Sequence, residues 1–164
     1  MKKMTELPIS IETEEGSIHG DLIVPANAKA VVLFAHGSGS SRFSPRNQHV
    51  AKFLNENGLG TLLIDLLTHE EEKEDQIDSS LRFDISLLSR RLKDATEWIL
   101  HHRPTTSLKI GYFGASTGAA AALVAAAEYP HVVEAIVSRA GRPDIAYGVL
   151  PHVQAPVLLY CGRE

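Results

Sequence analysis

The chain has 164 residues, enough for one domain with a core of its own and too few for two. Apolar residues make up 44% and charged residues 22%, a balance that excludes a disordered, collagen-like or coiled-coil chain. The net charge of −4 leaves no basic surplus for nucleic acid, and the longest apolar run, residues 119–127, falls far short of the roughly 20 residues of a membrane span.

The opening MKKMTELPIS carries Glu6, Pro8 and Ser10 where a secretion signal needs an apolar centre. The single Cys161 suits a reducing compartment. The expectation is a cytoplasmic protein that binds neither nucleic acid nor membrane. Ile9 to Glu12 and Ser17 to Val24 predict two antiparallel strands joined around Gly16. Residues 30–35 (AVVLFA) form an unbroken apolar run, the pattern of a strand buried on both faces. GSGSSRFSP is a loop by composition, and Arg46 to Asn57 a helix stopped by Gly58. Residues 60–67 (GTLLIDLL) predict a second buried strand.

Residues 70–78 (EEEKEDQID) hold six acids and one lysine, a local charge of −5, and read as a solvated loop. Leu81, Ile85, Leu88, Leu92, Ala95 and Ile99 then recur at spacings of four and three, the apolar stripe of a long amphipathic helix. KIGYF (109–113) is a third parallel strand, 116–128 an Ala-rich helix, 132–138 a fourth strand and 156–161 a fifth. Strands alternating with helices predict an α/β fold of one domain, with a mostly parallel sheet and helices on both faces.

The chemistry concentrates at Gly114-Ala115-Ser116-Thr117-Gly118, a G-x-S-x-G pentapeptide that follows a predicted strand and opens a predicted helix. That is the setting of a nucleophile elbow. A serine on so tight a turn has its hydroxyl lifted above the sheet, and the Thr117 N–H and helix dipole point at the reacting oxygen. A glycine-rich turn with a helix-capping serine is the structural alternative. Acyl transfer needs a second N–H donor opposite, and the loop His36-Gly37-Ser38-Gly39-Ser40-Ser41 can supply it, from Ser38 first and Gly39 next. The loop has no Gly-Lys pair of a P-loop and no third glycine of a dinucleotide fingerprint.

Taken in order, LFAHGSGSS, GLGTLLIDLLTHEEE, RFDISLLSRRL, GYFGASTGAA, VSRAGRPD and PVLLYCG resemble the α/β-hydrolase superfamily, in its dienelactone-hydrolase-like branch. The resemblance implies a serine hydrolase of a small carboxylic ester or thioester, working through an acyl-serine without metal or cofactor. Ser116 stands where dienelactone hydrolase itself carries a cysteine, which points away from dienelactone as substrate.

The rest of the triad is harder to place. The fold's order is serine, acid, histidine. After Ser116 only His131 and His152 remain, each just before a predicted strand, at the sheet edge away from the active side. His36 belongs to the oxyanion loop, and His69 is the other histidine at the correct edge. For the acid, Glu164 lies one residue short of the family position, and Asp144 occupies a second position the superfamily uses. The simplest reading is a chain lacking the last strand, loop and helix of the fold. Such a chain is weak or inactive by itself, and its last strand invites self-association. The alternative from another class is a non-catalytic binding module. Gly37, Gly39 and Arg139 are candidate substrate contacts. Arg42 and Arg82 could likewise face an anionic acyl group or pair with carboxylates such as Asp84. No metal site is expected: His69-Glu70 lacks the second histidine of H-E-x-x-H, and the acidic run lacks calcium-loop spacing.

Overall fold

The computed structural model describes residues 3–161. Seven strands form one sheet in the order β1-β2-β4-β3-β5-β6-β7. β1 (Met4–Thr13) and β2 (Gly16–Pro25) are an antiparallel hairpin turning at Gly16, where φ is +130°. β2 pairs antiparallel with β4 (Gly60–Ile64). From β4 onward the pairing is parallel, through β3 (Ala30–Ala35), β5 (Lys109–Ala115), β6 (Val133–Arg139) and β7 (Val157–Tyr160). The mostly parallel α/β sheet expected from the sequence is present.

Side chains alternate across the sheet and build two cores. Val31, Leu33, Ile110, Tyr112 and Ile136 join the larger one, under α3 (Ile85–His101) and α4 (Thr117–Glu128). Phe34, Leu63 and Phe113 join the smaller one, under α1 (Pro45–Glu56), where Phe34 stacks on Phe113 at 5.0 Å. α3 begins at Asp84, whose carboxylate accepts the Leu87 N–H at 2.9 Å, and buries Leu88, Leu92, Ala95 and Ile99. The expected stripe is right, but Leu81–Phe83 form a separate 3₁₀ turn before it. Asp84 serves as that cap and pairs with no arginine among the described residues.

The acidic stretch is not a loop. It forms α2 (His69–Asp78), opened by a capping box in which Thr68 Oγ1 accepts the Glu71 N–H and Glu71 Oε2 accepts the Thr68 N–H. Glu70, Glu71 and Glu72 fall in its first turn, where negative charge meets the positive end of the helix dipole. Arg91, fully buried on α3, ties this helix down: its guanidinium donates to Glu71 and, at 3.0 Å, to Glu15 in the β1–β2 turn.

The centre and the β7 side of the sheet differ sharply. α4 packs closely on the sheet through Ala119 to Ala122, all fully buried, alanine also being the best helix former. On β7, Val157, Leu158, Leu159 and Tyr160 are all exposed, Leu158 at 64%.

Candidate functional site

Ser116 is the single residue between β5 and α4 and carries φ 52°, ψ −121°. A serine in that region stores on the order of 1–3 kcal/mol of strain and needs surroundings that enforce it. They are visible. The Ser116 N–H donates to the Arg139 carbonyl at 3.2 Å, and its own carbonyl accepts the Ala119 N–H at 3.1 Å. A β-carbon at Gly114 would overlap Ala119 and come within 2.7 Å of its nitrogen, and one at Gly118 would overlap the Ala35 and His36 carbonyls. The small residues of G-A-S-T-G therefore let α4 lie against the backbones of β3 and β5, and the chain can turn only through Ser116.

The loop after β3 meets this turn. A β-carbon at Gly37 would sit 3.2 Å from Ser116 Cβ and 3.3 Å from the Ala115 carbonyl. Ser38 Oγ and Thr117 Oγ1 are 3.4 Å apart. Gly37 accepts the Ser40 N–H at 3.1 Å in a turn that places Gly39 at φ +70°. Thr117 opens α4, so its N–H has no carbonyl one turn back within the helix. The loop after β3 and the first turn of α4 thus meet at the Ser116 turn.

Two anchors hold the loop. The Arg42 N–H donates to Asp65 Oδ1 at 2.8 Å, its guanidinium pairs with the other Asp65 oxygen, and Nε reaches Asp21 at 3.2 Å. His36 is buried with both ring nitrogens engaged. Nε2 accepts the Leu66 N–H at 3.0 Å, and Nδ1 lies 2.9 Å from the Gly37 carbonyl, which requires the neutral tautomer protonated at Nδ1. Burial pushes its pKa below the ordinary histidine value. His36 is therefore not free to take the Ser116 proton.

A cleft of about 110 Å³ lies between the loop after β3 and α2, next to the serine turn, with His36, Ser38, Asp65, Glu72, Arg82 and Thr117 in its wall. Arg82 is held by buried Asp75, its Nε donating to Oδ2 at 2.7 Å, while Nη1 faces Gly39. On the other side, Arg139 stacks over Phe113 at 5.4 Å, and its Nη2 donates to buried Asn47 Oδ1 at 2.9 Å. Burial, with Arg46 nearby, lowers the Arg139 pKa.

Ser116, Thr117, Gly37, Ser38, Gly39 and Arg139 are thus brought together, and Asp144 is not. It lies on the exposed loop after β6, doubly bonded to Arg142, which holds its carboxyl below the usual range. Glu164 lies outside the described residues. His131 precedes β6 and His152 ends the turn 147–152 ahead of β7, both at the sheet edge opposite Ser116. His69 is the exposed first residue of α2. Sequence reasoning did not single out Asn47 or Asp65. A buried asparagine on an amphipathic helix, and an acid inside the apolar run 60–67, were the signals available.

The chain is similar to known proteins. Residues 26–162 match the family model described as serine aminopeptidase, S33. The crystal structure of a dienelactone hydrolase from Anabaena variabilis ATCC 29413 superposes with a TM-score of 0.94 and 57% identity, over 97% of this chain and 74% of that one. A cold-adapted esterase from an Arctic intertidal metagenomic library shares the fold at a TM-score of 0.74 and 17% identity, over 96% of this chain and 72% of its own. Two curated proteins of Mycobacterium tuberculosis, from strains CDC 1551 and H37Rv, are 53% identical over 145 residues, 88% of this chain. Their provisional name is phosphoribosyl transferase. The chain spans about a third of their length, 32%.

Proposed function

The chain belongs to the serine aminopeptidase S33 family of α/β hydrolases and is dienelactone-hydrolase-like, and from that premise we propose that it is a serine hydrolase of small carboxylic esters or thioesters. The observation that carries this reading is the strained Ser116 turn pressed against Gly37. In this reading Ser116 Oγ attacks the carbonyl carbon, the carbonyl oxygen becomes an oxyanion held by the Thr117 and Ser38 N–H groups, and the alcohol or thiol leaves with a proton. Water then attacks the acyl-serine, releasing the acid and restoring the hydroxyl. Gly37 and Gly39 let the acyl group approach the loop backbone, and Arg139 faces its far end. No metal or cofactor takes part.

Among the described residues no histidine is hydrogen-bonded to Ser116, and His69 stands exposed at the start of α2. His36 has both nitrogens committed, and His131 and His152 stand at the wrong edge. Asp144 is set aside as the acid in this reading, being exposed beside Arg142 with no contact to Ser116 or to a histidine among the described residues. It follows that residues 1–164 alone hydrolyse esters weakly, a hydroxyl without a base being a poor nucleophile. The single cysteine, exposed at Cys161, fits a reducing cytoplasm. p-Nitrophenyl acetate turnover tests the proposal. The full-length protein should lose on the order of 10⁴–10⁶ in kcat on Ser116→Ala. Turnover that survives the substitution contradicts it. A folded full-length protein with no turnover in either form would favour a binding module.

A further inference from the structure

We propose that Arg46 and Arg139 form a phosphate-binding subsite beside Ser116, so that the substrate is an ester or thioester carrying a phosphate group. The substrate assignment rests on the reading of Ser116 as nucleophile, while the anion site stands on the arginines alone.

Most arginines elsewhere in the described fold are paired with carboxylates; Arg103, exposed in the turn after α3, is the exception. Arg42 pairs with Asp21 and Asp65, Arg82 with Asp75, Arg90 with Glu15, Arg91 with Glu15 and Glu71, and Arg142 with Asp144. Among the described residues neither Arg46 nor Arg139 has a carboxylate within 4.0 Å. They are also neighbours: Arg139 is bonded to Asn47, the residue that follows Arg46 on α1, and the Arg46 charge reaches far enough to lower the Arg139 pKa. Two cations without carboxylate partners on adjoining segments repel, and an anion that reaches both relieves that repulsion.

The Arg139 guanidinium is already oriented. Phe113 lies under its plane and Asn47 takes one Nη2 hydrogen, leaving its Nε and Nη1 donors without a protein partner among the described residues. Little rotamer freedom remains to be lost when an anion binds. Its main chain is tied to the serine turn, since the Arg139 carbonyl accepts the Ser116 N–H at 3.2 Å. The N-terminus of α1 adds its positive dipole end, and no acid in its first turn offsets it.

Charge matching selects phosphate over carboxylate. A phosphate monoester carries about −1.5 to −2 near pH 7 and offers three acceptor oxygens, enough for both guanidinium groups. A single carboxylate would leave one arginine uncompensated. The phosphate serves as a handle and takes no part in bond making, which stays at the ester carbonyl.

Calorimetric titration of the full-length protein with inorganic phosphate tests the site. One phosphate should bind, more weakly as salt rises, and acetate should bind at least about tenfold more weakly. The double substitution Arg46→Gln with Arg139→Gln should weaken phosphate binding by at least about tenfold. Arg46→Lys with Arg139→Lys, which keeps both charges, should retain part of it, so the readout survives if the glutamine variant folds poorly. Ser116→Ala should bind phosphate like the wild type. No phosphate binding, binding unchanged in the glutamine variant, or acetate binding equally well would each overturn the proposal, even where Ser116 proves essential for turnover. Phosphate binding that follows the arginines in a protein whose turnover survives Ser116→Ala would keep the anion site and remove the serine reading.

Discussion

The loop after β3, residues 36–44, and the loop after β6, residues 140–146, both reach the serine turn but are fixed differently. The first is bolted to the sheet from outside itself: His36 receives the Leu66 N–H, Arg42 is clasped by Asp65 and Asp21, and Gly37 lies against Ser116. The second is tied to β7 only at its start, where the Ala140 N–H donates to the Tyr160 carbonyl at 2.7 Å, and to the core through Ala146; its polar side-chain contacts are local. Arg142 pairs with Asp144 two residues on, the Ile145 N–H bonds the Arg142 carbonyl, and Ile145 and Tyr147 stand exposed. Long-range anchors in a partly buried setting fix a position, whereas an exposed local pair fixes little. The difference teaches where a precise oxyanion donor can reside, namely on the β3 side.

Four substitutions sharpen that contrast. Gly118→Ala should have the largest effect on stability, about 3 kcal/mol or more, because the added methyl meets the backbone carbonyls of Ala35 and His36 and cannot turn away. Chemical denaturation reads it, and a loss under about 1 kcal/mol would mean that α4 does not depend on that contact. Asp65→Ala comes next. It strips the β3-side loop of the partner to both the Arg42 N–H and guanidinium, and should cost about 1–3 kcal/mol. In the full-length protein it should lower kcat more than it raises KM, since the donor is displaced while the cleft stays.

His36→Asn tests the second bolt through pH. Burial lowers the folded-state pKa of His36, so below about 6.5, its unfolded value, the unfolded chain binds the extra proton first. Stability should therefore fall as pH drops from about 6.5 toward the lower folded value, and the asparagine variant should show a shallower fall over that window. An unchanged slope would mean that His36 is not the titrating group. Asp144→Asn should be the smallest effect. The exposed Arg142 pair can be lost with no resolvable change in Tm or in turnover. A large loss of kcat would restore Asp144 as the triad acid and reverse the order of the two loops.

The centre of the sheet was legible in the sequence because its signals are local. AVVLFA, KIGYF and G-A-S-T-G each announce one element, and small residues at fixed offsets can mean little except a close strand-to-helix turn. α2 was not legible as a helix. Its acids suggested solvation, and the two features that make it a helix are the Thr68–Glu71 capping box and buried Arg91, whose partner Glu15 lies 76 residues away in the chain. The Arg42–Asp65 and Arg139–Asn47 contacts were hidden for the same reason: each joins segments that only the folded sheet brings together. Asp84 looked like a partner for arginine because composition shows its charge, whereas its work as the α3 cap depends on where the helix starts.

The central claim is that Ser116 is the reactive hydroxyl. Labelling the full-length protein with a fluorophosphonate, followed by peptide mapping, tests it directly. The account predicts one labelled peptide with the adduct on Ser116, and no labelling of a folded Ser116→Ala variant. An adduct on another serine such as Ser38 or Ser40, or labelling that persists in Ser116→Ala, would contradict it.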